Sequence, residues 1–412
     1  MYKRFIKQRI AVALKDTPAI IIVGPRQCGK TTLAKQIMQE EGEENWTYIT
    51  LDDINQLHFA KIDPVSFIRN NSARHIIIDE IQRAPELMLP IKQAIDENRL
   101  PGRFLLTGSA NAMALPQVAD SLAGRLEIIP MLPLAECEKN NTPSTFLPKV
   151  LAGQAPESRD IRIREQLIEK VTAGGFPEAL LRKEENRRTA WFNQYMASII
   201  QKDMKDLGQV EHLNIMPKLV QIVCNQAGSL VNYTEIGNAL GFSRQTVARY
   251  LQLLEQLFIF QELPAWHRNN NKRLTKTPKA HIVDSGLLCA LRRINDEKIN
   301  RDPQLFGNLL ESYVLCELRR LASWYEEPLY FSHYRDKDQI EVDIVIETAS
   351  GEVIGIEVKA SATLRKQDFQ GLERLRKTAG QNFLMGMILY DGDHTNALDK
   401  TLFSAPIGSL WK

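Results

Sequence analysis

The chain has 412 residues, 44% of them hydrophobic and 25% charged, which is ordinary for a globular protein of about two to three domains. A formal net charge of +2 provides no chain-wide basic field for nucleic acid, and five cysteines without a C-x-x-C pair argue against a zinc site or a disulfide framework. The sequence shows neither the apolar core of a signal peptide nor a run near the roughly 18 apolar residues of a membrane span, so we expect a cytoplasmic protein.

Short apolar runs alternate with helical patterns in the first third of the chain. The runs are AIIIV, WTYITL, HIIID, RFLLTG and RLEIIP. Runs of this kind are typical of buried parallel strands joined by crossover helices. This part of the sequence therefore predicts an α/β domain.

The segment IIIVGPRQCGKTTLAKQI contains the motif G-x-x-x-x-G-K-[ST] between a predicted strand and a predicted helix. Its glycines let backbone N–H groups surround an anion at a helix N-terminus. We expect Lys30 to bridge the β- and γ-phosphates of ATP, and the Thr31 hydroxyl to bind Mg²⁺. The predicted nucleotide-binding residues are Gly24, Pro25, Arg26, Gln27, Cys28, Gly29, Lys30, Thr31, Thr32 and Asp79.

Polar residues follow the next predicted strands. Asp79 is expected to hold Mg²⁺ through water and Glu80 to polarise the attacking water, the alternative being a capping pair. Thr107 and Ser109 are candidates for contact with the γ-phosphate or that water, with turn chemistry as the alternative. Arg125 precedes a further strand, where it could reach a phosphate of its own or a neighbouring subunit, or form a salt bridge in solvent.

A helix-turn-helix pattern occupies VNYTEIGNALGFSRQTVARYLQLLEQLFIFQEL. Thr234 is the predicted cap of the first helix, Gly241 ends it, and Ser243 caps the second, which together are typical of a winged helix. The expected DNA contacts are Arg244, Gln245, Thr246 and Arg249, followed by a basic loop with Arg268, Lys272, Arg273, Lys276 and Lys279. Winged helices also dock proteins, so a protein partner is the open alternative.

An acidic constellation lies late in the chain. Glu311 falls in a predicted helix, Asp343 in a strand, and Glu357 and Lys359 two positions apart on the next strand, where they share one face. This order is that of the PD-(D/E)XK nuclease fold. Glu311, Asp343 and Glu357 are the predicted ligands of a second Mg²⁺ or Mn²⁺, with Lys359 orienting or deprotonating water. The alternative is the solvent face of an ordinary edge strand.

Several motifs, taken in order, resemble one known family. They are GPRQCGKTTL, LDD, IIIDEIQRAPEL, FLLTGS, LAGR, GGFPE, ESYVLCEL, EVDIVI and IEVKAS. The family is that of widespread, largely uncharacterised bacterial and archaeal ATP-binding proteins with an AAA-like N-terminal ATPase and a C-terminal domain of restriction-endonuclease-like fold. The resemblance implies a nucleotide site at Gly24–Thr32, Asp79 and Glu80, a sensor at Thr107 or Ser109, and a phosphate-facing Arg125. Cys28 departs from the small apolar residue more usual there, at a position that contributes its backbone.

Together these patterns predict an α/β protein with four parts. They are an AAA-like ATPase core at 1–135, a helical lid at 136–220, a winged helix-turn-helix at 221–295 and a PD-(D/E)XK-like domain at 296–412. We expect an ATPase, active alone or as a homo-oligomer, coupled to a DNA-binding module that could act as a metal-dependent nuclease. The alternative is a nucleotide-dependent switch or scaffold whose C-terminal domains bind protein partners without cleavage.

Overall fold

A computed structural model describes residues 2–71, 74–109, 122–156, 164–204 and 212–412. The chain forms two compact units. The N-terminal unit consists of Lys3–Pro133 and Gln256–Phe258, and the C-terminal unit consists mainly of Leu134–Glu255 and Ile259–Lys412. The finer division of the second unit into lid, winged helix and nuclease-like domain stays a prediction. No helix within the described ranges is both long and apolar enough to cross a membrane.

A five-stranded parallel sheet forms the centre of the N-terminal unit. Its strands are β1 (Ala19–Val23), β2 (Trp46–Thr50), β3 (His75–Asp79), β4 (Phe104–Gly108) and β5 (Leu126–Pro130). They lie in the order β2-β3-β4-β1-β5, with every pairing parallel. The predicted parallel α/β sheet is confirmed. Every residue of β1 and of β4 is buried, which explains their uninterrupted apolar character.

Helices cover this sheet and connect its strands. They are α1 (Ile6–Ala13), α2 (Lys30–Glu41), α3 (Ile54–Ile62), α4 (Pro64–Asn70) and α5 (Met88–Glu97), with short 3₁₀ segments at Glu43–Asn45, Ile81–Arg83 and Pro85–Leu87. Because β1, β3 and β4 are parallel, their carboxyl ends meet at one edge of the sheet. The loops after these three strands therefore carry the candidate residues to one place.

The first part of the C-terminal unit is helical. The helices are α6 (Glu136–Lys139), α7 (Phe146–Leu151), α8 (Arg164–Ala173), α9 (Pro177–Leu180) and α10 (Glu185–Ser198), and a π-helical turn (Ile199–Asp203) extends the last of them. The predicted lid at 136–220 falls in this part, although its segments 157–163 and 205–211 lie outside the described residues.

The segment of the predicted helix-turn-helix contains a set of short elements. They are a 3₁₀ turn (Leu213–Ile215), α11 (Met216–Asn225), α12 (Tyr233–Leu240), α13 (Arg244–Gln256), β6 (Phe260–Leu263), α14 (Asn270–Arg273) and β7 (Lys279–Ile282), with β6 and β7 antiparallel. Gly241 ends α12 in the left-handed region at φ 75°, and the Ser243 hydroxyl accepts from the Thr246 N–H at 3.1 Å. The cap of α12 is Asn232, whose side chain accepts from the Glu235 N–H, so the assignment of Thr234 as the cap is wrong by two residues.

A mixed six-stranded sheet completes the C-terminal unit. After α15 (Ser285–Leu291), α16 (Asp296–Arg301) and α17 (Pro303–Ser323) come β8 (Tyr330–Arg335), β9 (Glu341–Glu347), β10 (Val353–Lys359), α18 (Gln370–Ala379), β11 (Phe383–Tyr390), β12 (Asn396–Ala397) and β13 (Leu402–Pro406). Three 3₁₀ segments also belong to this part: Lys366–Phe369, Gly380–Asn382 and Ile407–Trp411. The strand order is β12-β13-β11-β10-β9-β8. Since β10 lies between β9 and β11, the alternative that it is an edge strand is wrong.

Candidate functional site

The P-loop connects β1 to α2, and the side chain of its own lysine bonds to its backbone. Gly29 has φ +100° at the start of α2, and a side chain at Gly24 would overlap the Met131 carbonyl, so both positions suit glycine. Lys30 is buried, and its Nζ donates to the carbonyls of Gly24 at 2.9 Å and Pro25 at 2.8 Å. The lysine therefore lies along the loop that would surround a phosphate.

Cys28 contributes to this loop through its backbone. Its carbonyl accepts from Arg4 Nη1 at 2.9 Å, and its buried thiol lies 3.4 Å from the Met131 carbonyl. Arg4 also donates to the Leu132 carbonyl at 2.6 Å and thereby ties the loop to the segment after β5. Sequence reasoning missed Arg4, because nothing in the N-terminal helix pattern marks a residue that contacts the P-loop.

Asp79 is the residue on which three hydroxyl groups converge at the end of β3. The Thr31 hydroxyl lies 2.9 Å from both carboxylate oxygens, Tyr48 donates to Oδ2 at 3.0 Å, and Thr107 donates to Oδ1. Burial and the neighbouring Asp79 raise the pKa of Tyr48, which keeps the phenol a donor. Sequence reasoning also missed Tyr48, because its strand, β2, becomes a neighbour of β3 only in the folded sheet.

Glu80 follows Asp79 with an unusual backbone conformation. Its φ of 60° and ψ of 42° place it in the left-handed region, which non-glycine residues rarely adopt. Its N–H donates to the Thr107 hydroxyl at 3.1 Å, and its carboxylate accepts from the Gln82 amide. The same amide donates to the Ser109 hydroxyl at 2.8 Å. Gln82, which sequence reasoning did not select, thus links the predicted base to the predicted sensor.

Arg125 lies apart from these residues. It precedes β5 at the amino end of the sheet, whereas the P-loop follows β1 at the carboxyl end. Its guanidinium donates to both carboxylate oxygens of Asp96, at 2.6 and 3.1 Å. This geometry corresponds to the salt-bridge alternative and does not suit contact with a phosphate of the same subunit. Contact with a neighbouring subunit stays a prediction.

The N-terminal unit thus brings together the groups that a magnesium nucleotide requires. Backbone N–H groups at the start of α2 and the Lys30 ammonium suit phosphate oxygens, and the Thr31 hydroxyl beside the Asp79 carboxylate suits a hydrated Mg²⁺. Glu80 and Ser109 lie next to this pair and are joined through Gln82.

A second set of charged residues lies in the C-terminal unit. On antiparallel β9 and β10 the last paired residues are Ile344 and Ile356, so Asp343 and Glu357 come next on their strands. Asp343 Oδ2 accepts from the Val358 N–H at 2.9 Å, and Lys359 Nζ donates to Glu357 Oε1 at 2.8 Å. The predicted E-x-K pair therefore lies beside the predicted aspartate, which also accepts from the backbone N–H of Val358.

The position of Lys279 in the structure differs from the one that the sequence interpretation of the basic loop gives it. The sequence pattern predicts an exposed wing residue that contacts DNA phosphates, yet Lys279 begins β7 and is only 3% exposed. Its Nζ lies 2.9 Å from Glu311 Oε1, 3.4 Å from Glu341 Oε2 and 3.6 Å from Asp343 Oδ1. No local pattern indicates this position, because the residue follows TKTP and resembles part of a polar loop.

The electrostatics of this set follow from burial and proximity. Burial and Asp343 raise the pKa of Glu311 to about 8 and the pKa of Glu357 to about 8, against the opposing effects of Lys279 and Lys359. Burial alone would lower the pKa of Lys279, but Glu311 and Asp343 outweigh it and raise that pKa. Within the described ranges, no group of three or more His, Cys, Asp or Glu side chains is arranged to hold a metal ion.

The predicted DNA contacts lie at one end of α13 and in the loop before β7. Arg244, Gln245 and Arg249 are exposed, whereas Thr246 is half-buried and bonded to Ser243. A groove of about 370 Å³ runs between this helix and the loop, with Arg244, Arg273 and Lys276 in its lining. In the loop, Arg268, Lys272 and Lys276 are exposed, and Arg273 Nη1 lies 2.6 Å from Glu347.

Comparison with known proteins assigns a family description to three segments. Residues 16–139 match a family described as an AAA domain, 164–298 a domain of unknown function (DUF8612) and 306–410 another domain of unknown function (DUF4143). An uncharacterised protein of Mycobacterium tuberculosis is 27% identical over 99% of this chain and 84% of its own length. An uncharacterised protein of Methanocaldococcus jannaschii is 22% identical over 91% of this chain and 82% of its own length.

Among solved structures, AMPPCP-bound DnaA from Aquifex aeolicus is 18% identical, with 61% of this chain and 85% of that chain covered and a TM-score of 0.26. The match over residues 16–139 coincides with the parallel sheet, the P-loop and the Asp79 cluster. This segment is an AAA-type, P-loop ATPase-like domain.

Proposed function

We propose that the N-terminal unit binds ATP with Mg²⁺ and hydrolyses it. The observation that carries this proposal is the contact between the Thr31 hydroxyl and the Asp79 carboxylate at 2.9 Å, directly beside the P-loop lysine. Thr31 would bind Mg²⁺ directly and Asp79 would hold its water, and the ion would neutralise charge on the β- and γ-phosphates.

The protein groups around this pair have distinct roles in the proposed reaction. Lys30 leaves the carbonyls of Gly24 and Pro25 and donates to phosphate oxygens. The Glu80 carboxylate accepts a proton from water as the water oxygen bonds to the γ-phosphorus, and the bond from that phosphorus to the β–γ bridging oxygen breaks. The Gln82 amide donates to only one carboxylate oxygen of Glu80, Oε2, so the other oxygen has acceptor capacity for water.

The first test replaces the P-loop lysine. Lys30→Ala removes the ammonium that stabilises the transferring phosphoryl group, so we expect ATP turnover to fall by about 100-fold or more. Lys61→Ala is the matched control, because this exposed lysine of the same unit lies on α3 and is not part of the P-loop. Phosphate release measures the rate, and wild-type turnover by the Lys30 variant would refute the assignment.

A second variant separates binding from chemistry. Glu80→Gln keeps the shape of the side chain but removes the proposed base, so a fluorescent ATP analogue should bind with nearly unchanged affinity while turnover falls. Loss of binding and turnover together would mean that Glu80 acts in holding the nucleotide and not as the base.

We also propose that the C-terminal unit contacts DNA through a winged helix. The exposure of Arg244, Gln245 and Arg249 at the start of α13, beside a groove lined by Lys276, supports this proposal. Nucleotide state in the N-terminal unit would then regulate a DNA-bound complex, with the 136–220 region as lid and homo-oligomerisation as a further expectation.

Salt dependence tests the DNA proposal. Binding to phosphates releases counterions, so affinity for a short duplex should fall steeply with salt. Arg244→Ala with Arg249→Ala should reduce the slope by about one for each phosphate that the variant no longer neutralises. Lys400→Ala, at an exposed position far along the chain, is the control. Absence of binding even at low salt would favour the alternative of a nucleotide-dependent scaffold for protein partners.

For the C-terminal sheet we propose the PD-(D/E)XK-like fold. Its support is the arrangement of Glu311 on α17, Asp343 on β9, and Glu357 with Lys359 on the neighbouring β10. A fold does not determine an activity. DNA cleavage is outside the proposed function, because two of the three predicted metal ligands, Glu311 and Asp343, lie within 3.6 Å of the Lys279 ammonium.

A further inference from the structure

Four carboxylates from three elements meet at the face of β9 and β10, and we call them the acidic cluster. They are Glu311, Glu341, Asp343 and Glu357. Glu311 and Glu357 are each 9% exposed, so they have lost most of their hydration. A group of carboxylates this close is stable only with cations or protons among them.

Lys279 places a cation inside this cluster from another part of the chain. Its ammonium contacts Glu311, Glu341 and Asp343 at 2.9 to 3.6 Å and so joins a helix carboxylate to two strand carboxylates. Its backbone is fixed, because β7 pairs with β6 in a register that sets Lys279 opposite Leu263. The side chain would leave the cluster only by giving up these contacts in a buried place, which is costly for an ammonium.

Two further cations balance Glu357 and Glu341. Lys359 lies 2.8 Å from Glu357, and Arg335 Nη1 lies 2.8 Å from Glu341. Three cationic side chains thus face four carboxylates, with Glu357 Oε2 lacking a hydrogen-bond partner among the residues that the structure describes. The charge that a divalent ion would supply is already largely provided by the protein.

We propose that Lys279 is the resident cation of the acidic cluster and excludes a divalent metal ion from it. A divalent ion needs carboxylate oxygens at about 2.0–2.6 Å, and the Lys279 ammonium lies among the oxygens of Glu311 and Asp343 that would move inward to meet it. Both cations cannot occupy this space. The C-terminal unit therefore keeps its carboxylates together without a metal, and removal of Lys279 creates a metal site.

Manganese titration of the full-length, nucleotide-free protein tests this proposal. Free Mn²⁺ is measured by electron paramagnetic resonance for the wild type, Lys279→Met, and the control Lys400→Met, which replaces an exposed lysine. We expect Lys279→Met to bind one more ion than either of the others. Mn²⁺ at about 100 times its dissociation constant should raise the melting temperature of this variant by about 5 °C and leave that of the control unchanged.

Two further variants address folding and charge. Lys279→Met with Glu341→Gln keeps the three predicted ligands, Glu311, Asp343 and Glu357, and carries less uncompensated charge, so it serves if the single variant does not fold. Lys279→Arg keeps the positive charge and should gain no ion.

Three results would overturn the proposal. The first is a wild-type Mn²⁺ site that Asp343→Asn abolishes, and the second is a folded Lys279→Met or double variant that gains no ion. The third is Mn²⁺-dependent cleavage of plasmid by the wild type that Asp343→Ala removes. All are measured without nucleotide, so they are independent of whether the N-terminal unit hydrolyses ATP.

Discussion

At the scale of single residues, the nucleotide site depends on how Asp79 is held. Thr31, Tyr48 and Thr107 come from three different elements and all direct hydroxyl groups to its carboxylate. Asp79, Thr31 and Thr107 could be selected from the sequence because each follows a recognisable motif or ends a strand. Tyr48 could not, because it lies within its strand and its role depends on which strands are neighbours.

Thr107 offers the sharpest test of this arrangement. Its buried hydroxyl donates to Asp79 and accepts from the Glu80 N–H, so Thr107→Val leaves both groups without that partner. We expect ATP turnover to fall about tenfold and the free energy of unfolding to fall by about 1–3 kcal/mol. Thr107→Ser, which keeps the hydroxyl, should restore most of both quantities. A valine variant with wild-type turnover would show that this hydroxyl does not position the site.

His333 makes the stability of the C-terminal unit depend on pH. Burial, followed by the Lys279 charge, lowers the pKa of His333 from 6.5 to about 4. The unfolded chain binds this proton more readily than the folded one, so the stability that is present above the unfolded pKa is lost as pH falls towards the folded pKa. Between about pH 7.5 and about pH 5, we expect His333 to remove about 2 kcal/mol of stability.

Urea unfolding of the wild type and His333→Gln at the two pH values measures this effect. Glutamine can still donate to the Thr277 carbonyl, which His333 Nε2 contacts at 3.2 Å, but it does not titrate. The raised pKa values of Glu311 and Glu357 act in the opposite direction over the same range, so the quantity to compare is the difference between the two proteins. An identical pH dependence would contradict the prediction.

At the scale of elements, sequence patterns located the five strands of the N-terminal sheet, the helix end at Gly241 and the cap at Ser243, because burial on both faces and capping chemistry leave local signals. They failed where a residue's role is set by a contact distant in the sequence. Lys279 resembles a loop residue although it begins β7 within the acidic cluster. The interior position of β10 likewise depends on pairing that one strand's sequence does not encode.

The GGFPE motif is explained at this scale by packing. Gly174 has φ +67°, and a side chain there would overlap Asp284 Oδ1. Asp284 Oδ2 accepts from the Gly175 N–H at 2.6 Å and from Arg320 Nη2 at 2.8 Å, with both Asp284 and Arg320 buried. The two glycines allow the turn after α8 to approach this ion pair closely.

Gly174→Ala should therefore be strongly destabilising. The positive φ costs about 1 kcal/mol, and displacement of Asp284 from buried Arg320 adds to it, for an expected loss of about 3 kcal/mol or more. Gly241→Ala is the matched control, because Gly241 has φ +75° but open space around its Cα, so it should lose about 1 kcal/mol. Denaturant unfolding gives both values, and equal losses would mean that the close approach contributes nothing.

At the scale of the whole molecule, the chain combines a unit whose chemistry can be predicted from motifs with one whose chemistry cannot. The P-loop and its acidic partner each leave a recognisable motif in the sequence, and the structure brings them together in the N-terminal unit. In the C-terminal unit the motif order is equally complete, yet Lys279, about thirty residues before Glu311 in sequence, changes what that order can do. A motif identifies side chains from the sequence, whereas the fold determines which residues of opposite charge lie beside them.

Because the chain forms two compact units, we expect nucleotide to change the thermal stability of one unit and not of the other. The P-loop, Thr31 and Asp79 all belong to Lys3–Pro133, so a non-hydrolysable ATP analogue with Mg²⁺ should stabilise the N-terminal unit selectively. At about 100 times the dissociation constant the gain is about 2.7 kcal/mol, since ligand binding to the folded state shifts unfolding by mass action. In differential scanning calorimetry we expect two transitions, one of which moves to higher temperature. Lys30→Ala should abolish that movement and leave the second transition unchanged, whereas one joint transition that shifts as a whole would show that the units unfold together.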